Sequence, residues 1–399
     1  MSIMDTSKNR KKGLIVIPRM PYPLNSGGRI AIYDSLEQLS QKYELVIIII
    51  DDDRNNQQYL NHLSRFSNSV HFCSFNKCHF FFNTLLGLVK GKPLQVGYFY
   101  FRKVQKIINE SSLSCDFFVS FMIRTSSYGL NLQMPKYHYA IDSMYLNYKN
   151  SKENAKSIIW KLIYSIETPL LFNIEKKHVR NFNLTTFVNK NEAEFWKEYG
   201  NVANLPHGVE ASIFERDKTD SLYKDVVAFI GRMDYQPNID AVLWFCDNVL
   251  GSLNYNIQFW IIGGHVSDNL RKKLEAFKNV KIVGFVDDPY IILRSCLCTV
   301  APMQTGGGLQ TKILMAMAVE SLVLTTSSSA SAIENAKDGV NIIVENSAYR
   351  YVEVINDIYK NPSKYLSIKQ EAKTTILNTY SLDIIKKKLL SLLGKYLNI

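Results

Sequence analysis

Short apolar runs alternate along the chain with stretches in which apolar residues recur at the spacing of a helix. Gly13–Pro18 is an apolar run that predicts a strand, and the segment rich in Pro, Asn and Gly after it predicts a loop. Ile30–Ser40 has apolar residues at helical spacing, and Tyr43–Ile50 is a largely β-branched run. We therefore predict that the chain opens with a strand, a loop, a helix and a second, buried strand.

The same alternation continues through both halves of the chain. Further strands are predicted at His71–Phe75, Phe117–Phe121, Tyr137–Ile141, Leu184–Val188, Val226–Gly231, Ile257–Ile262, Val280–Val283, Leu297–Ala301 and Leu322–Thr325. Helices are predicted at Phe99–Asn109, Ile158–Arg180, Asn191–Tyr199, Ile239–Leu250, Asp268–Ala276, Tyr290–Leu293 and Gln310–Val319. Strands that alternate with helices are typical of a parallel sheet covered on both faces, and the pattern occurs here twice.

This pattern predicts an α/β protein of two doubly wound, Rossmann-like domains that face a cleft. The length of 399 residues suits such an arrangement. We expect a first domain at 1–205, a second at 206–378 and a C-terminal helix at 379–399 that could return to the first domain. The turn-rich segment Asn204–Glu210 separates the halves. Ligands are expected at the carboxyl ends of the strands, between the domains.

Composition excludes several classes of protein, and the distribution of charge indicates an anionic partner. The chain is 46% hydrophobic and 21% charged, which excludes wholesale disorder, collagen and a coiled coil. Residues 1–205 contain 26 Lys and Arg against 16 Asp and Glu, whereas residues 206–399 contain 21 against 20. The basic half suggests contact with nucleic acid, a phospholipid surface or a phosphorylated substrate.

Cysteine usage and the lack of long apolar runs predict a cytoplasmic location. The six cysteines show no paired spacing, so we expect a reducing compartment without a disulfide framework. Cys73, Cys78 and His79 come nearest to a metal cluster, but buried thiols are the favoured interpretation. The apolar run Leu14–Ile17 is too short for a signal peptide, and no run approaches the length of a membrane-spanning helix.

The segment Phe80–Lys106 suggests peripheral attachment to the inner face of the cell membrane. Apolar Phe80–Val89 is flanked by basic residues, and aromatic Tyr98–Phe101 is interleaved with them. Apolar residues beside lysines suit the lipid interface, although a core helix with a solvated basic edge is the alternative. Nucleic acid is disfavoured because no motif of a nucleic-acid module accompanies the charge.

Two loops carry candidate anion-binding residues. In Asn25–Arg29, Gly27 and Gly28 would let backbone N–H groups approach a ligand at a helix N-terminus, although a plain tight turn is equally compatible. Arg232 follows the first strand of the second half and is placed for a phosphate. Alone it would more often be a solvated arginine. Asp51–Asp53 is interpreted as a solvated acidic run, and no metal site is expected.

A third loop, Pro302–Ala318, gives the strongest signal. Three glycines open a helix, and Lys312 lies in its first turn. A cation at a helix N-terminus opposes the helix dipole. A bound pyrophosphate would remove that conflict, because the helix and the ammonium group would both face the anion.

These loops and their order resemble the retaining GT-B glycosyltransferases of family 4, also called group 1. In the second half the resemblance rests on "LPHGVEASIF", "VAFIGRMDYQPNIDAVLWF", "IIGGH", "KIVGFVDD" and "APMQTGGGLQTKILMAMA". In the first half "IPRMPYPLNSGGRIAIYDSLEQLSQKYELVII" is similar to the opening unit of the family. The resemblance implies sugar transfer from a nucleotide-sugar to a polysaccharide- or lipid-linked acceptor, with retention and without a metal or other cofactor.

The resemblance also implies roles for individual residues. Arg232 and Lys312 would be the catalytic pair that holds the donor pyrophosphate, the acceptor would bind the first domain, and the second domain would bind the donor. The implied substrate-binding residues are Gly27, Gly28, Arg29, Arg124, Gly284, Phe285, Val286, Gly306, Gly307, Gly308, Leu309, Gln310, Thr311 and Met315. The pathway implied is synthesis of a surface polysaccharide or glycolipid.

Several positions depart from the family pattern. Gly307 and Met315 stand where two glutamates are common, and methionine cannot accept a strong hydrogen bond from a ribose hydroxyl. Glu320 stands where glycine usually follows the helix, and Asn238 where a second basic residue is common. The usual histidine near the acceptor has no clear counterpart, with Ser120 and Arg124 in that neighbourhood. The alternatives are therefore a catalytically impaired protein that binds nucleotide-sugar or acts as a scaffold, and a nucleotide-sugar epimerase.

Overall fold

Two parallel β-sheets organise the chain, one in each of two units. The computed structural model describes residues 10–24, 27–67, 69–154, 157–305 and 308–399. The first unit comprises Met1–Pro206 and Lys386–Ile399, and the second comprises His207–Ile385. The last helix therefore begins in the second unit and ends in the first, where the Lys11 ammonium donates to the carbonyl of Asn398 at 2.7 Å.

The first unit contains seven of the strands and eight complete α-helices among the residues described. Its strands are β1 (Lys12–Pro18), β2 (Glu44–Asp51), β3 (Ser69–Ser74), β4 (Phe117–Phe121), β5 (Lys136–Ile141), β6 (Leu184–Phe187) and β7 (Val202–Asn204). Its helices are α1 (Gly27–Lys42), α2 (Lys77–Val89), α3 (Leu94–Tyr98), α4 (Arg102–Ser112), α5 (Met122–Ser126), α6 (Met144–Asn154), α7 (Ile158–Asn181) and α8 (Lys190–Trp196).

The second unit repeats the alternation. Its strands are β8 (Val226–Ile230), β9 (Gln258–Ile262), β10 (Val280–Gly284), β11 (Cys298–Ala301), β12 (Val323–Thr325) and β13 (Ile343–Val344). The helices from there to the end of the chain are α9 (Ala211–Phe214), α10 (Gln236–Asn248), α11 (Asp268–Glu275), α12 (Tyr290–Ser295), α13 (Thr311–Ala318), α14 (Ser327–Ser331), α15 (Ala348–Lys360), α16 (Leu366–Tyr380) and α17 (Leu382–Leu397).

Both sheets are doubly wound, as the sequence pattern predicts. The order of the first is β3-β2-β1-β4-β5-β6-β7, and that of the second is β10-β9-β8-β11-β12-β13. Strand order reverses between β1 and β4 in the first sheet, and between β8 and β11 in the second. Ligands of such sheets bind outside the carboxyl ends of the strands at this reversal. The topology thus directs attention to the residues that follow these four strands.

The central strands are mostly apolar because helices cover both faces of each sheet. Every residue of β2 after Glu44 is buried, and Ile47–Ile50 are each 0% exposed. Burial of one such side chain stabilises the fold by roughly 1.5–3 kcal/mol. The long β-branched run therefore selects a central strand rather than an edge.

Two interpretations of the sequence are wrong in detail. The helix predicted at Phe99–Asn109 begins only at Arg102, because Phe99 and Phe101 are buried in the core against Phe80. The acidic run Asp51–Asp53 is not simply solvated. Asp51 is fully buried and accepts from the backbone N–H of Met20 at 2.8 Å, and Asp52 pairs with Arg19.

An exposed apolar surface lies on the first unit. Helix α2 exposes Phe81, Phe82 and Val89, the last to 88%, while Phe80 on its other side is fully buried. The start of α7 exposes a second set: Ile158, Ile159, Trp160, Leu162 and Ile166. Over the described part of the chain, none of the helices combines the length and apolar character needed to cross a membrane.

Candidate functional site

Arg232 lies in the loop at the carboxyl end of β8, next to the strand-order reversal of the second sheet. Its guanidinium donates to the Asp234 carboxylate twice, at 3.0 Å from Nε and at 2.5 Å from Nη2. The hydrogen bond to Asp234 raises the pKa of Arg232, which stays charged. The side chain is about half exposed, so this pair is worth little on its own and the guanidinium is available to an anion.

Lys312 lies on the first turn of α13, which follows β11 across the same reversal. Its ammonium donates to the Asn238 side-chain oxygen at 2.5 Å, and it lies 3.7 Å from the Met303 sulfur and 4.4 Å from the centre of the Phe229 ring. In the described chain no carboxylate forms an ion pair with it. Burial lowers the pKa of Lys312 to about 7. A half-buried ammonium group that makes no ion pair is the arrangement that a bound phosphate would stabilise.

Asn238 joins Lys312 to the Arg232 loop. Its amide nitrogen donates to the Arg232 carbonyl at 2.8 Å while its oxygen accepts from Lys312, and the residue is only 5% exposed. From the sequence alone, Asn238 only departs from the family pattern, since it stands where a second basic residue is common. The structure instead shows that it positions the lysine. The signal available in the sequence was its place in the first turn of α10, six residues after Arg232.

Close backbone packing brings the ends of β8, β9 and β10 together. A Cβ at Gly263 would lie 1.9 Å from the Gly231 carbonyl oxygen, and Gly263 has a φ of 148°. The Gly263 N–H donates to the Gly284 carbonyl at 2.7 Å, and Gly284 has a φ of 82°. Glycine is required at these positions because side chains would collide or force a strained backbone.

The other predicted residues of the donor loops lie on the same unit. Phe285 is 80% exposed after β10, and Val286 is half-buried. Gly308, Leu309, Gln310 and Thr311 are half-buried and lead into α13. Gly306 and Gly307 lie outside the described residues. Their substrate contacts remain predictions.

Met315 and Glu320 have definite structural environments. The Tyr290 hydroxyl lies 3.8 Å from the Met315 sulfur, so the methionine packs against α12. Glu320 follows the end of α13 with a φ of 58°, the left-handed conformation that favours glycine. Its carboxylate pairs with Arg294 and Lys373, each at 3.2 Å. These two ion pairs account for a glutamate at a glycine-like position.

The remaining predicted residues belong to the first unit. Helix α1 begins at Gly27, and a Cβ at Gly28 would lie 2.8 Å from the Met122 side chain. Arg29 donates to the Pro23 carbonyl at 3.3 Å. Arg124, in α5 after β4, donates from Nε to the Gln95 side-chain oxygen at 3.1 Å. Asn25 and Ser26 of the same glycine loop lie outside the described residues.

Ser120 is interior and the cysteine cluster does not assemble. Ser120 is fully buried in β4, and its hydroxyl bonds to His138 Nδ1 at 2.9 Å. Cys73 is half-buried and Cys78 is exposed, so the interpretation of these residues as buried thiols is wrong for Cys78. Among the residues that the structure describes, no three or more His, Cys, Asp or Glu side chains are grouped to hold a metal ion.

Comparison with known proteins gives a family match within the second unit. Residues 224–361 match the family model described as Glycosyl transferases group 1. Over 392 residues the chain is 23% identical to an uncharacterized 44.6 kDa protein in the cps region of Klebsiella pneumoniae. That alignment covers 92% of this chain and 96% of the relative.

Solved structures extend the similarity over nearly the whole chain. Anabaena HepE in complex with UDP and glucose is 12% identical with a TM-score of 0.64, covering 96% of this chain and 99% of that one. Sucrose-phosphate synthase from Thermosynechococcus elongatus is 11% identical with a TM-score of 0.67, covering 96% and 98%. TarM of S. aureus, in a complex that includes UDP, is 12% identical with a TM-score of 0.63, covering 96% and 99%. The chain thus has the GT-B fold, and it resembles the group 1 glycosyl transferases, whose family model its second unit matches.

Proposed function

We propose that this protein transfers a glycosyl group from a nucleotide-sugar to a polysaccharide- or lipid-linked acceptor, with retention. The observation that carries the proposal is the pair Arg232 and Lys312, which flank the strand reversal of the second sheet and are joined through Asn238. Two cations at this edge suit the diphosphate of a nucleotide-sugar. Because HepE and TarM are described in complexes with UDP, a uridine diphosphate sugar is the first donor to test.

In the proposed reaction the bond from the sugar C1 to the diphosphate oxygen breaks as the acceptor oxygen bonds to C1 on the same face. The acceptor hydroxyl gives its proton to the departing diphosphate, and a nucleoside diphosphate is released. Negative charge grows on the diphosphate during this step. Lys312 and Arg232 would stabilise that charge, which is the role a divalent cation has in other enzymes.

The experiment is transfer or hydrolysis measured with a panel of nucleotide-sugars. Lys312→Ala is compared with Lys272→Ala, which removes an exposed lysine of α11 in the same unit. We expect one donor to be consumed by the parent and by the Lys272 variant, and much more slowly by the Lys312 variant. Consumption at equal rates by all three proteins would contradict the proposal.

A second candidate is a protein that binds nucleotide-sugar without transferring the sugar. The packing of Met315 against Tyr290, where the family commonly has a ribose-binding glutamate, favours it. Saturable nucleotide-sugar binding without turnover, in the presence of a range of acceptors, would support this candidate over the transferase.

We also propose that the first unit docks on an anionic membrane surface through α2. The pathway that we propose is the synthesis of a surface polysaccharide or glycolipid. Exposed Phe81 and Phe82, beside a half-chain with a surplus of basic residues, support docking. The cps-region relative supports the pathway. Cosedimentation with phosphatidylglycerol vesicles tests the docking. Phe82→Asp should reduce it, Leu222→Asp on the second unit should not, and equal binding by both would contradict it.

A further inference from the structure

Two arginines follow the two strands that flank the strand reversal of the first sheet. Arg19 comes directly after β1, and Arg124 lies in α5, which begins directly after β4. The carboxyl ends of these neighbouring strands are where a doubly wound sheet binds ligands. The fold therefore presents two cations at the position favoured for a ligand in the first unit.

The two guanidinium groups share one aromatic ring. The central carbon of each lies 5.6 Å from the centre of the Phe99 ring, which is only 3% exposed. Burial lowers the pKa of Arg124, and the charge of Arg19 lowers it further. Arg19 therefore makes the charged form of Arg124 less favourable, and the nearby carboxylate of Asp52 opposes that effect.

Of the two arginines, Arg19 holds the Asp52 carboxylate, and Arg124 is hydrogen-bonded to a neutral amide. Arg19 donates to both oxygens of Asp52, at 3.0 and 2.8 Å, and the Tyr98 hydroxyl donates to the same carboxylate. Arg124 donates from Nε to Gln95, whose amide in turn donates to the Tyr148 hydroxyl. Within the described ranges, no carboxylate forms an ion pair with Arg124. A half-buried guanidinium in that state is stabilised by an incoming anion.

The same arrangement of charges occurs at the reversal of the second sheet. There too one cation after the first flanking strand, Arg232, is held by both oxygens of an aspartate. The cation after the other flanking strand, Lys312, is held by an amide oxygen beside a phenylalanine ring. Arg19 with Asp52, and Arg124 with Gln95 and Phe99, repeat this pattern in the first unit.

We propose that Arg19 and Arg124 bind a phosphoryl group carried by the acceptor. The identification of the bound molecule as the acceptor rests on the proposed function, whereas the evidence for an anion site comes from the first unit alone. A phosphoryl group has several unesterified oxygens and can accept hydrogen bonds from two guanidinium groups at once. A phosphoryl group also carries more negative charge than a single carboxylate, which suits the excess of basic residues in 1–205.

The test is calorimetric titration of the full chain with inorganic pyrophosphate. We expect two binding events in the parent protein, of which Lys312→Ala weakens one and Arg124→Gln weakens the other. Loss of one charge-assisted contact corresponds to a weakening of about tenfold or more. Arg124→Lys should retain part of the binding. Arg102→Gln, an exposed arginine at the start of α4, is the matched control.

Parent-like binding by Arg124→Gln, or equal loss in Arg102→Gln, would overturn the proposal. Thermal unfolding checks that each variant is folded. If Arg124→Gln does not fold, Arg19→Gln replaces it, because we expect that variant to weaken the same pyrophosphate-binding event. Equally tight binding of succinate at this site would overturn the assignment to a phosphoryl group.

Competition experiments identify the source of the phosphoryl group. Displacement of the Arg124-dependent pyrophosphate by glucose 1-phosphate supports a soluble phosphorylated acceptor. Displacement by phosphatidate vesicles alone supports a lipid-linked one, and displacement by neither overturns the acceptor role. If Arg124-dependent binding persists but no nucleotide-sugar is bound or consumed, the proposed function fails while the anion site stands.

Discussion

Replacement of Lys312 by methionine should change how the stability of the protein depends on pH. In the folded, ligand-free protein burial lowers the pKa of Lys312 from its ordinary value of 10.5 to about 7. Between these two values the unfolded chain holds one more proton than the folded chain. Raising the pH therefore stabilises the folded parent through this residue, and stability is lost as the pH falls toward the folded pKa.

The expected size of the effect follows from the two pKa values. Between these two pKa values, a rise of one pH unit increases the free energy of unfolding by about 1.4 kcal/mol, and by less near the folded pKa. From about pH 7 to about pH 9, the free energy of unfolding of the parent should rise by about 2 kcal/mol relative to that of Lys312→Met. The hydrogen bond to Asn238 is absent from Lys312→Met at every pH, so the prediction concerns how the difference between the two proteins changes with pH and not its absolute size.

The assay is urea denaturation of the full chain at several pH values, with Lys272→Met as the control. The control removes an exposed lysine and should track the parent at every pH. Saturating uridine diphosphate should flatten the difference, because a bound phosphate keeps the ammonium group charged. A constant difference between the parent and Lys312→Met from pH 7 to pH 9 would refute the argument, since Lys312 would then be charged throughout.

Three further predictions concern the donor site. Arg232→Ala and Lys312→Ala should each cost roughly 2–4 kcal/mol of transition-state stabilisation. A double-mutant cycle should show non-additive losses if both residues hold one diphosphate. Additive losses would argue against a shared ligand. Transfer should persist in EDTA, and loss of activity that manganese restores would contradict this expectation. Met315→Glu should tighten nucleotide binding by up to about 1.5–3 kcal/mol, less the similar cost of desolvating the carboxylate. Distinctly weaker binding by a folded Met315→Glu protein would count against a ribose site there.

The hydrophobic pattern was sufficient to predict most of the strands and the class of fold. Runs such as Leu45–Ile50 are apolar on both sides of the backbone, which is typical of a strand that is covered on two faces. The glycine-rich loop before Lys312 is likewise visible in the sequence, because three glycines precede a lysine whose charge opposes the helix dipole unless an anion is bound.

The pattern could not predict which face of an aromatic segment is buried. Phe80 and Phe81 are adjacent and chemically identical, yet one is fully buried and the other is 65% exposed. The difference depends on Phe75, Phe99 and Phe101, which pack around Phe80 from other segments of the chain.

The sequence by itself determined the alternation of strands and helices and the residue types that can hold a phosphate, because both depend on local spacing. Only the tertiary structure decided which of these residues meet. Asn238 and Lys312 are 74 positions apart, and Arg19 reaches Asp52 across 33. These contacts exist because parallel strands distant in the chain end at one edge of a sheet, and no local pattern encodes that pairing.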